Sequence, residues 1–339
     1  MSAENAEDAE DAEEERRFAA DRGDAGERLD RALVRHLAGV PGLSRTRLQE
    51  WIAAGRVQVN GAAAGRPAER LALGDQVTVL LPDPRSLAPS RRPPPAPEEM
   101  PLAVLYEDDW LIALAKPPGL VVHPTFGHWQ GTLLNALLWH LRATGVRPGF
   151  VSRLDKGTSG VLLAAKSGEV HGRLARAMRT RAVAKDYLAV VYGSPGASRG
   201  RIERPLLRDP QDSRRMSVAA AGRPSVTLWE ALAGTAERAG GVRLTLLRCR
   251  LLTGRMHQIR VHLRAAGLPI VGDPLYGEPR WKGISDVDLA AACRGFPRQA
   301  LHAWRLALPH PVTGAPLALE APLPDDLAGL LAAAGLPRS

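Results

Sequence analysis

At 339 residues, with a hydrophobic fraction of 45%, the chain is long enough for two packed domains, and its composition excludes a wholly disordered or fibrous polymer. The net charge is +9, yet residues 1–25 hold ten acids against three arginines, so the remainder carries +16. A body this basic most often contacts a polyanion, nucleic acid above all. Cys249 and Cys293 form no CxxC and no metal-ligand spacing, which argues against a disulfide framework or a zinc cluster. The N-terminus is acidic where a signal peptide is basic and then apolar, and no apolar run approaches membrane-spanning length. These features predict a cytoplasmic protein with no membrane partner.

Residues 1–25, rich in Ala, Glu and Asp, read as a disordered acidic tail. Residues 26–81 read as a small compact module. Leu29, Ala32, Leu33 and Leu37 recur at helical spacing, and Ser44 is placed to cap a second helix that Gly55 ends. Arg56–Gly61 alternates two valines and closes on an Asn-Gly turn, and Val77, Val79 and Leu81 alternate as a further strand. Arg45 and Arg47 lie near the start of the second helix, where exposed donors and guanidiniums can hold phosphates. Residues 82–99 contain seven prolines and predict a stiff linker.

A second unit is expected over 100–325, followed by a C-terminal tail, 326–339. Its elements are a strand-turn-strand over 102–115, an apolar strand bracketed by prolines in KPPGLVVHP, and a helix over 131–141. Then come the stretch VSRLDKGTSG (151–160), a buried strand over 161–165, a helix near 169–179 and a strand over 183–192. The segment 242–252 alternates as a strand with one basic face, and 253–267 turns into a helix that Gly267 caps. The irregular order of strands and helices argues for an α+β fold with a mixed sheet. Asp155, flanked by Arg153 and Lys156, stands at a loop-to-strand junction, where neighbouring positive charge favours the ionised carboxylate. Taken alone, those ten residues also fit a surface ion pair beside a turn.

The series RLDRAL, SRTRLQEWI, GRVQVNG and GDQV resembles the S4 RNA-binding domain. The ordered motifs KPPGLVVHP, HPTFGHWQGTLLNALL, SRLDKGTSG, AKDYLAVVYG, LLTGRMHQIRVHL, VGDPLYG and RQALHAWRLALPHPVTG resemble the RluA family of RNA pseudouridine synthases, and its RluD branch in particular. The resemblance spans residues 26–325. It implies an S4-like domain followed by a pseudouridine synthase fold with a largely antiparallel mixed sheet. It also implies conversion of uridine to pseudouridine in large-subunit ribosomal RNA, at helix 69, by a monomer that uses no cofactor, nucleotide or metal.

Asp155 matches the family's catalytic aspartate, Tyr187 its active-site tyrosine and Arg260 the basic partner of the carboxylate. Arg153 matches the arginine that fills the space left by an extruded base. Arg255, His257 and Gln258 are expected in or near the cleft, as RNA phosphate contacts or to orient Arg260, and His262 as structural. Lys156 and His123 are further candidate RNA contacts. Two positions depart from the family: Ser152 replaces a usual histidine, and Met256 a common threonine. A second reading is a non-catalytic RNA-binding ribosome-assembly factor. The loose likeness of Asp155-Lys-Gly-Thr to an aspartyl-phosphate motif lacks both the residue order and the membrane spans that a P-type ATPase needs.

Overall fold

The computed structural model describes residues 14–38, 40, 43–81, 94–125, 128–212, 214–235 and 241–338. The chain divides into two compact units, one ending at Pro94 and the other running from Pro95 to the C-terminus. The expected acidic tail up to residue 13 and the linker over 82–93 lie outside the described residues. No helix among the described residues is long and apolar enough to cross a membrane.

In the first unit, β1 (Glu14–Ala19) is followed by α1 (Leu29–His36), α2 (Arg45–Ala53), β2 (Val57–Val59), β3 (Ala62–Ala63) and β4 (Gln76–Leu81). The strands form one antiparallel sheet in the order β1-β4-β2-β3. Leu29 and Leu33 of α1 and Leu48 and Ile52 of α2 are buried against Val57, Val77 and Val79. Burial of each such side chain contributes roughly 1.5–3 kcal/mol. Ser44 caps α2 by accepting from the Arg47 amide at 3.2 Å. Asn60 and Gly61 both take positive φ at the β2–β3 turn, as the Asn-Gly pair requires. The expected disorder up to residue 25 is corrected from residue 14 onward. There β1 pairs with β4 over six residues, Phe18 packs onto the core and stacks on His36 at 3.9 Å, and Ala20 is buried.

The second unit begins β5 (Val104–Glu107), β6 (Leu111–Lys116), α3 (Leu133–His140), β7 (Gly149–Phe150), β8 (Ser159–Ala165) and α4 (Gly168–Arg179). It continues with β9 (Ala184–Tyr192), β10 (Arg199–Glu203), β11 (Leu206–Arg208), β12 (Met216–Val218), β13 (Val226–Gly234) and β14 (Leu244–Leu251). It closes with α5 (Gln258–Ala265), α6 (Val287–Gly295), β15 (Leu301–Pro309), β16 (Pro316–Glu320) and α7 (Asp325–Ala333). Eight strands run β10-β13-β14-β9-β15-β8-β6-β5, with β16 added to β15 and β7 to β8. All pairings in this sheet are antiparallel except β8 with β15. The fold is therefore α+β with a mixed, largely antiparallel sheet.

The parallel contact is short, joining Ser159 to His302 and Gly160 to Ala303. Gly160 has φ of 117°, and a Cβ there would run into the Ala303 backbone, so only glycine admits this approach. The contact fixes where β8 begins, and hence where the VSRLDKG loop before it ends.

Two sequence expectations fail in this unit. The KPPGLVVHP segment is an irregular loop after β6, not a strand. Its three prolines remove ladder donors, Gly119 takes φ of 84°, and the Val121 and Val122 carbonyls accept the first amides of α3. The residues read as a C-terminal tail form most of α7. Leu327, Leu330 and Leu331 of that helix, with Leu336 beyond it, are buried in the main core.

Candidate active site

Asp155 sits in the loop between β7 and β8, with Leu154 buried beside it as an anchor. The loop is held from elements far away in sequence. Lys116, fully buried at the end of β6, donates to the carbonyls of Pro117, Leu120 and Lys156 at 2.8, 2.9 and 3.1 Å. Burial, with the Arg298 charge adding to it, lowers the Lys116 amine to about 7, against the upward pull of Asp155. Arg298 donates to the Gly157 carbonyl at 2.9 Å and is itself clamped by both carboxylate oxygens of Asp326, on α7, at 2.6 and 2.8 Å. Gln299 donates to the Thr158 hydroxyl at 3.0 Å, and His302 Nδ1 lies 2.9 Å from the Ser159 hydroxyl. Every residue from 156 to 159 is thus tied to another element, which fixes the direction of the Asp155 side chain.

The Asp155 carboxylate meets α5. Arg260 Nη1 donates to Asp155 Oδ2 at 2.9 Å, while Arg260 Nε and Nη2 each reach an Asp273 oxygen at 2.7 Å. Asp273 Oδ1 also accepts the Leu275 and Tyr276 amides at 2.9 and 3.0 Å. The Arg260 guanidinium lies 5.0 Å from the Tyr276 ring centre. Burial opposes the Arg260 charge, but the Asp273 bonds outweigh it and raise its affinity for the proton. Burial likewise opposes ionisation of Asp273, and the Arg260 bonds overcome it and hold its carboxyl below the usual range. Arg260 is therefore a fixed cation with one hand on a buried carboxylate and the other on the half-buried Asp155.

His257, at the N-cap of α5 with φ of 55°, places Nε2 3.7 Å from Asp155 Oδ2 and Nδ1 2.9 Å from the Tyr276 hydroxyl. Burial lowers its pKa despite the opposite pull of Asp155, so the ring is neutral near pH 7. Tyr187, on β9, faces the same space. Burial and then the Asp155 charge push its phenol far above the ordinary range, so it stays protonated.

These groups line a cleft of about 560 Å³ that also receives Ser152, Arg153, Arg255 and Met256. Among the described residues, Asp155 is its one acidic lining residue, against the cations Arg153, Arg179, Arg181, Lys185, Arg255 and Arg260. Arg153 is exposed, and the Arg255 Nε is buried with no hydrogen-bond partner. A second cavity of about 550 Å³ lies against the other side of Asp155, His257 and Arg260 and is walled by Pro118, Pro274, Leu275 and Pro297.

The structure brings together Arg153, Asp155, Tyr187, Arg255, His257 and Arg260. Gln258 also lines the cleft, but its expected RNA contact is corrected. Its oxygen accepts from the Thr253 hydroxyl and the Arg255 amide at 2.8 and 3.1 Å. Its nitrogen donates to Val226 and Thr227 at 3.0 Å each, so the buried amide is spent inside the protein. His262 is likewise internal, lying between the Thr227 hydroxyl and the Arg204 carbonyl. Lys156 lines the second cavity, and His123 packs edge-on to Phe150 at 5.3 Å. Arg45 and Arg47 lie on α2 of the first unit. Arg45 is bound to Asp30 at 2.8 Å, and that fully buried carboxylate also takes Arg28 and Gln49 at 2.9 Å each. Bonds from Arg28 foremost keep the Asp30 carboxyl far below its usual range. Asp273, Lys116, Arg298 and Gln299 were not singled out from sequence, although VGDPLYG, KPPGLVVHP and RQALHA contain them.

A carboxylate set among cations in a cleft suits chemistry on a polyanion. Residues 110–265 match the RNA pseudouridylate synthase family, and residues 27–77 match the S4 domain. The ribosomal large subunit pseudouridine synthase D of Nitrosomonas europaea is 43% identical over 311 residues, covering 91% of this chain and 85% of that protein. The protein of the same name from Xanthomonas campestris pv. campestris is 42% identical over 315 residues, covering 91% and 89%. Human RNA pseudouridylate synthase domain containing 1 aligns with a TM-score of 0.53 at 28% identity, over 69% of this chain and 87% of that one. The chain belongs to the RNA pseudouridylate synthase family and is an RNA pseudouridine synthase.

Proposed function

We propose that this enzyme converts uridine to pseudouridine in large-subunit ribosomal RNA, at uridines of helix 69, as a cytoplasmic monomer. The names and near-complete coverage of its relatives support the ribosomal substrate. Within it, residues 26–81 grip RNA, with Arg45 and Arg47 at the start of α2, and the second unit performs the chemistry. The observation that carries the reading is the Asp155–Arg260–Asp273 chain of bonds at the floor of a basic cleft.

The reaction breaks the N1–C1′ bond, turns the base, joins C5 to C1′, releases the C5 proton and leaves a proton on N1 in its place. It is redox-neutral and transfers no group to or from a donor. Asp155 acts as the ionised carboxylate, by attack on the sugar or the base or by taking the 2′ proton. Arg260 aims it and balances its charge. Tyr187 offers a ring for the uracil to stack on and, being neutral, a hydroxyl that can give or accept a proton. A uridine in folded RNA has to leave its stack to reach this floor. Arg153, exposed at the rim, is the cation that takes its place.

The test is to map pseudouridines in ribosomal RNA from cells lacking the protein, with the wild type or Asp155→Asn returned. The wild type restores helix 69 sites, and Asp155→Asn restores none while its RNA affinity is largely kept. Loss of no large-subunit site in the deletion, or full activity of Asp155→Asn, overturns the assignment.

A further inference from the structure

One face of β9 enters the chemistry through Tyr187, and another group on that face has no assigned task. Side chains two apart on a strand share a side. Lys185 and Tyr187 therefore both line the cleft, while Asp186 between them turns away to Arg250 at 2.6 Å. The Lys185 ammonium has no hydrogen-bond or ion-pair partner among the described residues, although the side chain is half-buried. A cation sheltered from water without a counter-charge is costly, and a ligand that brings the charge removes the cost.

The surroundings indicate what that ligand is. A methyl group placed on Gly254 would lie 3.6 Å from Lys185 Nζ, so the amine rests against the turn leading into α5. The next residue, Arg255, presents the buried and unpartnered Nε noted above. Lys185 and Arg255 thus both line the cleft, and its one carboxylate among the described residues is already held by Arg260. Lys185 and Tyr187 stand about 7 Å apart along the strand. That is the scale of the reach from a nucleobase to the phosphate of its own nucleotide.

We propose that Lys185, together with Arg255, forms a phosphodiester subsite that holds the RNA backbone beside the uridine stacked on Tyr187. The subsite rests on the stacking role given to Tyr187 above. Burial lowers the pKa of the free Lys185 amine, and a bound phosphate restores its preference for the charged form.

The test measures affinity for a ribosomal RNA fragment across a salt series, in an Asp155→Asn background that prevents turnover. Lys185→Met keeps the apolar stem, Lys185→Gln keeps a polar end without charge, and Lys185→Arg keeps the charge. Met and Gln are each expected to weaken binding roughly tenfold and to flatten the slope of log K against log salt by about 0.7–0.9, the loss of one phosphate contact. Arg restores both. With Asp155 intact, Met raises KM and leaves the rate at saturation within about twofold. Unchanged affinity and slope in folded Met and Gln variants overturn the subsite, as does a fall in kcat at constant KM. Failure of the wild type to form pseudouridine would sink the functional reading alone, since the salt slopes still decide the subsite.

Discussion

Replacing Asp273 with Asn separates the brace from the group it braces. Asp273 is fully buried, and Arg260 is only 4% exposed at its side chain, so two of the guanidinium's three bonds lie in a dry interior. Removing one partner of a buried pair costs about 3–5 kcal/mol. Asn keeps the shape and can still accept the Leu275 and Tyr276 amides, and Arg260 keeps Asp155, which sets the expectation near the lower end. For a unit of this size, about 3 kcal/mol lowers the melting temperature by roughly 6–12 °C. Arg260 then loses its lateral tether, and a displacement of about 1 Å at a reacting group costs on the order of 100-fold in rate. Thermal melts by circular dichroism, single-turnover pseudouridine formation and RNA affinity check the three parts. The expected pattern is a lower melting temperature and a roughly 100-fold slower chemical step at near-constant affinity. A variant that melts within 2 °C of the wild type, or so, and turns over at its rate would refute the brace.

Other measurements test the scaffold. His302 is buried with its pKa lowered to about 4, chiefly by burial, against 6.5 for a free imidazole. The unfolded chain therefore takes up a proton that the folded protein refuses. This contribution to stability is full above about pH 6.5 and falls by about 3 kcal/mol as the pH drops to about 4. His302→Asn is expected to flatten that part of the stability–pH curve in urea titrations, and an unchanged curve would discount His302. Ending the chain at Leu323 removes α7 with Leu327, Leu330 and Leu331. At about 2 kcal/mol each, their loss takes roughly 6 kcal/mol from a total of the order of 5–15. The truncated protein is expected to be insoluble or rapidly proteolysed, and a soluble truncation with normal activity would show α7 to be dispensable.

Local signals in the sequence predicted local structure well. Ser44 before an apolar period marked α2, Asn60-Gly61 marked the hairpin, and alternation marked β4 and β14. The strand β1 was hidden because its core contact, Phe18, stands among acids and arginines that read as solvated chain. The helix α7 was hidden because Ala-, Gly- and Leu-rich sequence at a chain end carries no sign of what will cover it. The proline-flanked KPPGLVVHP run was misread because apolar content says nothing about where the backbone donors go. Within the site, motif resemblance supplied Asp155, Tyr187 and Arg260. Asp273, Lys116 and Arg298 act by pairing with residues 13, 40 and 141 positions away, distances at which no periodicity speaks. Gln258 shows the reverse case, a polar residue close to Arg260 whose amide serves the fold.

The braces on the Asp155 loop also impose an order on the enzyme's own birth. Arg153, Asp155, Tyr187 and Arg260 are all translated before Arg298, Gln299, His302 and Asp326, which hold the loop in place. A growing chain thus carries these side chains well before it can aim them. The loop gains its last braces once α7 packs onto the core and Asp326 pairs with Arg298.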